Sequence, residues 1–341
     1  MPEQTDTNPA SAPAGIKRAA SPTALIATEA TQPAAAATAD ASVSKRAKSD
    51  QENKKGKRRT RILRKSTADD TVLEAIQLLL ETKWKECHPD STDLPAAFGW
   101  PAGDKQKEAL FCRAPPIPAK LAGHDESECE LDVYVHEVSE KGMGIATRES
   151  ADELREIVGR GERPWFLAVP FTLKGEMVRS KTVKHEWGYS QADLLSVTEK
   201  SSKRVEPPCK YFGRCSGCQI QHLDYADQLE FKHQVVERAF THANPLFASV
   251  SVSPVWKSPL KLGYRTKLTP HFDIRKDTLP DQVAIGFGMS GQRRVLDIEE
   301  CIIGTDVVQQ GMTKARADTK AKMASYERGA TLLIRETYEV P

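Results

Sequence analysis

Residues 204–223 read Arg204-Val-Glu-Pro-Pro-Cys209-Lys-Tyr-Phe-Gly-Arg-Cys215-Ser-Gly-Cys218-Gln-Ile-Gln-His222-Leu223. Three of the chain's seven cysteines fall within ten residues of this stretch. The first residues show no compact apolar run of the secretory kind, so the cluster reads as metal ligation rather than a disulfide framework. The spacing is C-x5-C-x2-C, and the x2 step lets two thiolates grip one metal from a tight turn, which Gly217 makes flexible enough to form. Cys301, after the apolar run ending in Asp297-Ile-Glu-Glu, is the candidate fourth ligand. Four thiolates suit a 4Fe-4S cluster or a zinc ion. His222 offers a second zinc arrangement, C-x5-C-x2-C-x3-H, a shortened relative of the three-cysteine, one-histidine finger. From the residues alone, cluster and zinc both stay open. Cys87, Cys112 and Cys129 are isolated and read as ordinary reduced thiols.

Upstream of this cluster, Leu131, Val133 and Val135 alternate with polar residues, the signature of a half-buried strand. Gly142 and Gly144, the apolar run Trp165–Pro170, Met177 to Val183 and Ala192 to Val197 follow, so short strands with glycine turns predict a small antiparallel barrel. The polar stretch Thr147 to Arg163 reads as an insertion in one loop. Downstream, Tyr225 to Ala243 reads as an amphipathic helix with Leu229, Val236 and Phe240 inward. Strand-like segments return at Tyr264 to Ile274 and Val283 to Ile303, then a helix at Asp306 to Tyr326 and a strand at Ala330 to Arg335.

The N-terminal side is different in kind. Residues 1–44 are rich in Ala, Thr, Pro and Ser and read as disordered; Glu3, Asp6, Glu29 and Asp40 argue against a mitochondrial transit peptide. Lys45 to Lys65 carries a local net charge of +9 in a chain whose total is +2, leaving a mildly acidic body. Its two basic clusters resemble a bipartite nuclear localisation signal read by an import receptor, and the same charges suit non-specific RNA phosphate contact. Residues 67–86 read as a helix with Val72, Leu73, Ile76, Leu79 and Leu80 on one face, and the Pro-rich stretch from Asp90 to Asp125 as a weakly ordered connector. No run of 18 apolar residues occurs, so no membrane span is expected.

Gly286-Phe-Gly288-Met-Ser-Gly291 spells the G-x-G-x-x-G dinucleotide fingerprint after an apolar strand. That fingerprint needs a helix next, and Gln292-Arg-Arg-Val-Leu-Asp-Ile alternates like a strand, so a hairpin is expected instead.

A small barrel, then Arg204-Val-Glu-Pro-Pro-Cys209, then Cys215-Ser-Gly-Cys218-Gln-Ile-Gln-His222, resembles the TRAM-bearing uracil-5-methyltransferases. Leu262-Gly-Tyr264-Arg265-Thr-Lys267 and the placement of Cys301 after Gly286-Phe287 carry the resemblance further, and Arg328 to Glu336 resembles the eukaryotic, fungal-like branch that modifies tRNA. The match covers residue 129 to the end. The resemblance implies a structural 4Fe-4S cluster on Cys209, Cys215, Cys218 and Cys301, with zinc the alternative metal and His222 a neighbour rather than a ligand. It implies methyl transfer from S-adenosylmethionine to C5 of a T-loop uridine, through covalent addition of a cysteine at C6 and removal of the C5 proton by a carboxylate, on a flipped-out base. Those catalytic parts would sit in a Rossmann-like domain after Glu336, so no catalytic and no S-adenosylmethionine-binding residue is assigned, and the chain is expected to be inactive without a separate catalytic domain.

The expected fold class is β-rich α+β, with a disordered tail at 1–65, a helix and connector at 66–124, an OB-like TRAM barrel at 125–204, an iron–sulfur and central RNA-binding region at 205–304, and the start of a mixed α/β domain at 305–341. The partner is tRNA. Candidate RNA contacts on the barrel are Lys174, Arg179, Lys181 and Lys184 for phosphates, with Trp187 and Tyr189 for stacking. In the central part they are Arg265, Lys267, Arg293 and Arg294. A nuclear site of action, extending to cytoplasm or mitochondrion, completes the expectation. Non-catalytic RNA-binding or tRNA-chaperone modules and zinc-finger nuclear RNA-binding proteins are the competing classes.

Overall fold

The computed structural model describes the backbone of Leu25–Ala27 and residues 70–99, 114, 129–186, 188–243, 249–274, 279 and 282–337. The basic clusters of Lys45 to Lys65, most of the tail and connector, Cys112 and Trp187 lie outside the described residues. The chain divides into two compact units. The larger spans Ala30–Lys261 and Ala284–Ile298; the smaller holds Met1–Glu29, Leu262–Val283 and Glu299–Pro341. Leu25–Ala27 is strand β1 and belongs to the smaller unit.

The larger unit is built on a closed five-stranded barrel in the order β2-β3-β4-β6-β5. Its strands are β2 (Glu130–Val138), β3 (Met143–Thr147), β4 (Phe166–Pro170), β5 (Met177–Glu186) and β6 (Tyr189–Glu199). All pairings are antiparallel except β4 with β6, so the expected barrel forms with one parallel seam. Period-2 alternation sends Val133, Val135, Leu167, Val169, Val178 and Ala192 into one apolar cluster. The opposite faces of β3 and β4 are also buried: Ile145, Phe166 and Ala168, with Tyr189, form a second cluster.

That second cluster is closed by helices. Helix α1 (Asp70–Cys87) contributes Val72, Ala75, Ile76, Leu79 and Leu80, an i, i+3, i+4, i+7 stripe. Phe98 joins them, with Trp84 edge-on to it at 5.8 Å. The helix expected beside a loose connector is therefore part of the barrel's packing. Helix α2 (Ala151–Gly159) occupies the stretch expected as an irregular insertion. Its signal is a capping box: the Glu153 N–H donates to Ser150 Oγ (3.3 Å) and the Ser150 N–H to Glu153 Oε2 (2.8 Å). Leu154 and Val158, one turn apart, are fully buried beneath it; each such side chain contributes about 1.5–3 kcal/mol.

Helix α3 (Tyr225–Ala243) follows the cysteine-bearing loop. Val236 and Phe240, expected inward, are 41% and 40% exposed. The helix meets the barrel instead through Arg238, whose guanidinium lies 3.6 Å from Glu137 Oε1 and donates to the Val138 carbonyl at 3.5 Å. The apolar spacing was real, but a stripe does not say which face meets a partner. The hairpin β9 (Gly286–Gly288) and β10 (Val295–Asp297) completes the unit.

In the smaller unit, helix α4 (Asp306–Ala321) starts at Thr305, whose hydroxyl accepts the Val308 N–H and donates to the buried Glu336 carboxylate. Strand β7 (Lys267–Leu268) and β1 both pair antiparallel with β12 (Leu333–Arg335), so the apolar triplet Leu-Ile-Ala adds an edge strand within the otherwise undescribed tail. Strand β8 (His271–Phe272) pairs with β11 (Ala330–Thr331). The single strand expected at 330–335 is thus two, separated at Leu332, whose N–H donates to the Pro270 carbonyl at 2.7 Å. Among the described residues, no helix is long and apolar enough to cross a membrane.

His136 on β2 is buried, its Nε2 2.9 Å from Thr147 Oγ1. Burial lowers its pKa to about 4, opposed by the Glu149 carbonyl and assisted by Lys83 and Lys174. The unfolded chain takes up this proton near pH 6.5, so stability falls as pH drops from there toward about 4. Replacing His136 with Gln is expected to flatten unfolding free energy against pH across that window, measured by urea titration.

Candidate functional site

The cysteine-bearing loop hangs from the barrel by one buried joint. Glu176, in the turn before β5, is fully buried and accepts the N–H groups of Leu173 (2.8 Å) and Ser201 (3.3 Å). Arg204 donates to both of its carboxylate oxygens, Nη2 to Oε2 at 2.8 Å, and to the Phe171 carbonyl at 2.8 Å. Burial opposes ionisation of Glu176, but the guanidinium and the two N–H donors outweigh it and hold its carboxyl below the usual range. Phe171 adopts φ 62°, a left-handed conformation unusual for an aromatic residue. In that conformation its ring meets Phe212 of the loop at 5.2 Å, and Phe212 in turn lies 5.1 Å from His222.

The loop's other anchor is the hairpin. The Ser216 N–H and hydroxyl both donate to the Gly288 carbonyl, at 3.0 and 2.9 Å, and the Ser290 N–H donates to the Arg214 carbonyl at 2.8 Å. Cys215 bridges antiparallel to Met289. The G-x-G-x-x-G glycines therefore build a hairpin edge, as expected, and not a nucleotide cradle. A Cβ on Gly286 would sit 2.2 Å from the Leu296 carbonyl, and Gly291 turns the chain at φ 69°.

Cys209, Cys215 and Cys218 are all half-buried on this loop. Burial pushes the Cys215 thiol up, as does Cys209, while the Gly217 N–H, 3.4 Å from its Sγ, opposes both. Cys301 belongs to the other unit, held in the turn before α4, where its N–H donates to Gln309 Oε1 at 3.0 Å. Among the described residues, no three Cys, His, Asp or Glu side chains form a group that would hold a metal ion. The three loop thiols are therefore not drawn into a metal-holding group, with or without His222. His222 is fully buried beside Phe212, its ring nitrogens meet no partner of good hydrogen-bond geometry, and burial, with the nearby Arg204 charge, lowers its pKa to about 4.

The basic barrel residues are less available than their sequence implied. Arg179 donates to Asp132 Oδ2 at 2.8 Å and lies 3.5 Å from Glu130. Lys174 donates to Glu137 at 3.0 Å, Lys184 is paired with Glu186, and half-buried Lys181 stands opposite Glu130 and Asp193 in register. Tyr189 is 1% exposed within the helix-covered core, so it offers no face to a base. Arg265 and Lys267 are exposed on the smaller unit, and Arg293 and Arg294 at the hairpin of the larger. The joint itself was missed because Glu176 and Arg204 lie 28 residues apart, with no local motif to connect them.

A closed β-barrel joined to a three-thiol loop is the class of module this geometry defines. No protein-family model matches the chain. The tRNA (uracil(54)-C(5))-methyltransferase of Schizosaccharomyces pombe is 40% identical over 226 residues, 65% of this chain and 40% of that protein. The protein of the same description from Saccharomyces cerevisiae is 34% identical over 241 residues, 64% of this chain and 36% of that one. A 23S rRNA (uracil(1939)-C(5))-methyltransferase of Cupriavidus pinatubonensis is 35% identical over 186 residues, 54% of this chain and 37% of the relative. The chain thus spans about two-fifths of the length of these relatives, and the resemblance to tRNA uracil-5-methyltransferases is borne out. A solved Pyrococcus abyssi tRNA (uracil-54, C5)-methyltransferase aligns with 60% of this chain and 42% of its own at a TM-score of 0.38 and 21% identity, too weak a likeness to carry the fold across.

Replacing Arg204 with Met would leave the Glu176 carboxylate buried and unpaired, at a cost of about 3–5 kcal/mol. Because the Glu176 carboxyl titrates below its unfolded value, near 4.3, the wild-type pair contributes fully above that pH and its contribution is lost as pH falls through the lowered value. Denaturant titrations of both proteins at neutral pH and near pH 3 are expected to show a large difference that narrows in acid.

Proposed function

We propose that this chain is the RNA-gripping portion of an S-adenosylmethionine-dependent tRNA (uracil-5-)-methyltransferase that makes 5-methyluridine in the T loop. The observation that carries this reading is the 34–40% identity to two fungal tRNA (uracil(54)-C(5))-methyltransferases, together with the thiol loop anchored between barrel and hairpin. The barrel is read as a TRAM domain. Cys209, Cys215 and Cys218 hold a 4Fe-4S cluster, with Cys301 the fourth thiolate on the sequence motif alone. What supports the cluster is that three half-buried thiols share one loop anchored at two places; they are not drawn into a metal-holding group here, so the cluster rests on the sequence motif. When bound, the cluster supplies a rigid cross-link that fixes the loop's surface. The protein's own part is to hold tRNA and present it. Ser216 and Arg214 fix the loop to the hairpin, which sets Arg293 and Arg294 beside it for phosphate contact. No catalytic side chain is assigned within the 341 residues. The basic clusters of Lys45 to Lys65 serve nuclear import and add non-specific phosphate contact.

Two measurements test this. Anaerobically purified chain is expected to contain iron and acid-labile sulfide, and Cys218→Ser to lose both and bind unmodified tRNA more weakly; zinc without iron would overturn the cluster. With unmodified tRNA and S-adenosylmethionine, the chain is expected to bind tRNA without forming 5-methyluridine, so robust product would place catalysis within these residues.

A further inference from the structure

The segment between α3 and β7 carries a feature that none of the assigned contacts uses. Trp256 is 93% exposed, an extreme for an indole, which is usually well buried. It is not on a loose loop. Two residues on, the Ser258 N–H donates to the Tyr225 hydroxyl at 2.8 Å, and the Ser258 hydroxyl donates to the Leu260 carbonyl at 2.7 Å. Lys261 Nζ lies 5.1 Å over the Tyr225 ring, a cation–π contact. Pro254 and Pro259 restrict the backbone on either side. The segment is thus tied to the first residue of α3, and the indole is held outward from a fixed base.

The residues that follow it in sequence help line a concavity of about 250 Å³, formed by Tyr225, Leu229, Lys257, Ser258 and Lys261. Among the described residues of that lining, Asp224 alone is acidic, and its Oδ1 is engaged by the Ala226 N–H at 2.9 Å. An exposed indole on a tethered segment that also carries two lysines complements a ligand with a flat π-face and a negative backbone. Protein partners favour aromatic centres depleted of lysine; single-stranded nucleic acid favours this combination, with bases stacking on aromatics and phosphates tracking the positive groups.

We propose that Trp256, Lys257 and Lys261 form a binding site for an unpaired RNA nucleotide, with the indole stacking on the base and the lysines holding the flanking phosphates. The site rests on the RNA-binding reading above and deepens it, adding a contact to the folded larger unit.

The test uses the full chain and an unmodified tRNA transcript, with an oligouridylate as the minimal single-stranded probe. Trp256→Ala is expected to weaken binding of both by roughly 5- to 150-fold, the range for losing one stacked base, and Trp256→Phe to restore most of it. Lys257→Ala and Lys261→Ala are each expected to reduce the slope of log affinity against log salt by about 0.7–0.9. Because Trp256 projects into solvent, its replacement leaves the circular dichroism unchanged, and acrylamide quenching of its emission is expected to fall when RNA binds. Wild-type affinity in Trp256→Ala, with wild-type tRNA binding intact, overturns this site alone. Absence of RNA binding by the wild-type chain overturns the site and the RNA-binding reading together. Quenching protection by anionic phospholipid vesicles but not by RNA would assign the patch to a membrane surface and overturn the proposal.

Discussion

The ion pair between Glu176 and Arg204 is the constraint on which the larger unit depends. The carboxylate is fully buried in a barrel turn, and the guanidinium belongs to the first residue of the cysteine-bearing stretch. A buried charge must be paired and hydrogen-bonded or it costs several kcal/mol, so wherever the barrel goes the loop must start beside it. The same joint draws in the end of β6 through the Ser201 N–H and the Phe171 carbonyl through Arg204. Phe171 takes a strained backbone conformation there, and its ring meets Phe212. Strain of that kind persists only where the surroundings over-determine it.

From the joint the architecture follows outward. The loop cannot drift, because its other end is hydrogen-bonded to the Gly288 carbonyl and to Ser290. Gly286 can only be glycine where the hairpin strands approach so closely. The three thiols are therefore presented from a segment held at two places.

How far the sequence could be read depended on the range of the interaction concerned. Period-2 alternation in Leu131, Val133 and Val135 was enough to expose the barrel, and the strand-like run after Gly291 was enough to reject the nucleotide fingerprint, because both are local patterns. The capping box at Ser150 and Glu153 was equally local, but it was masked by the charged composition around it. What was out of reach is cross-strand. That Arg179 would lie against Asp132 and Glu130, and Lys181 opposite Glu130, depends on the β2–β5 register, which neither strand states alone. The burial of Tyr189 is equally non-local, since the helices that cover it come from about a hundred and more residues earlier in α1 and about thirty earlier in α2. Trp256 could be seen as a letter in the sequence, but only its exposure sets it apart from a core indole.

Under the proposed function, tRNA is gripped mainly by the folded units, with the basic segment at Lys45 to Lys65 adding only non-specific contact. Ultraviolet cross-linking of the full chain to unmodified tRNA, with the modified peptides mapped by mass spectrometry, tests that most directly. Cross-links within residues 204–223, the hairpin at 286–297 and the segment at 249–262 are the expected result. Cross-links confined to Lys45 to Lys65 would contradict it and leave the folded units without a role in gripping RNA.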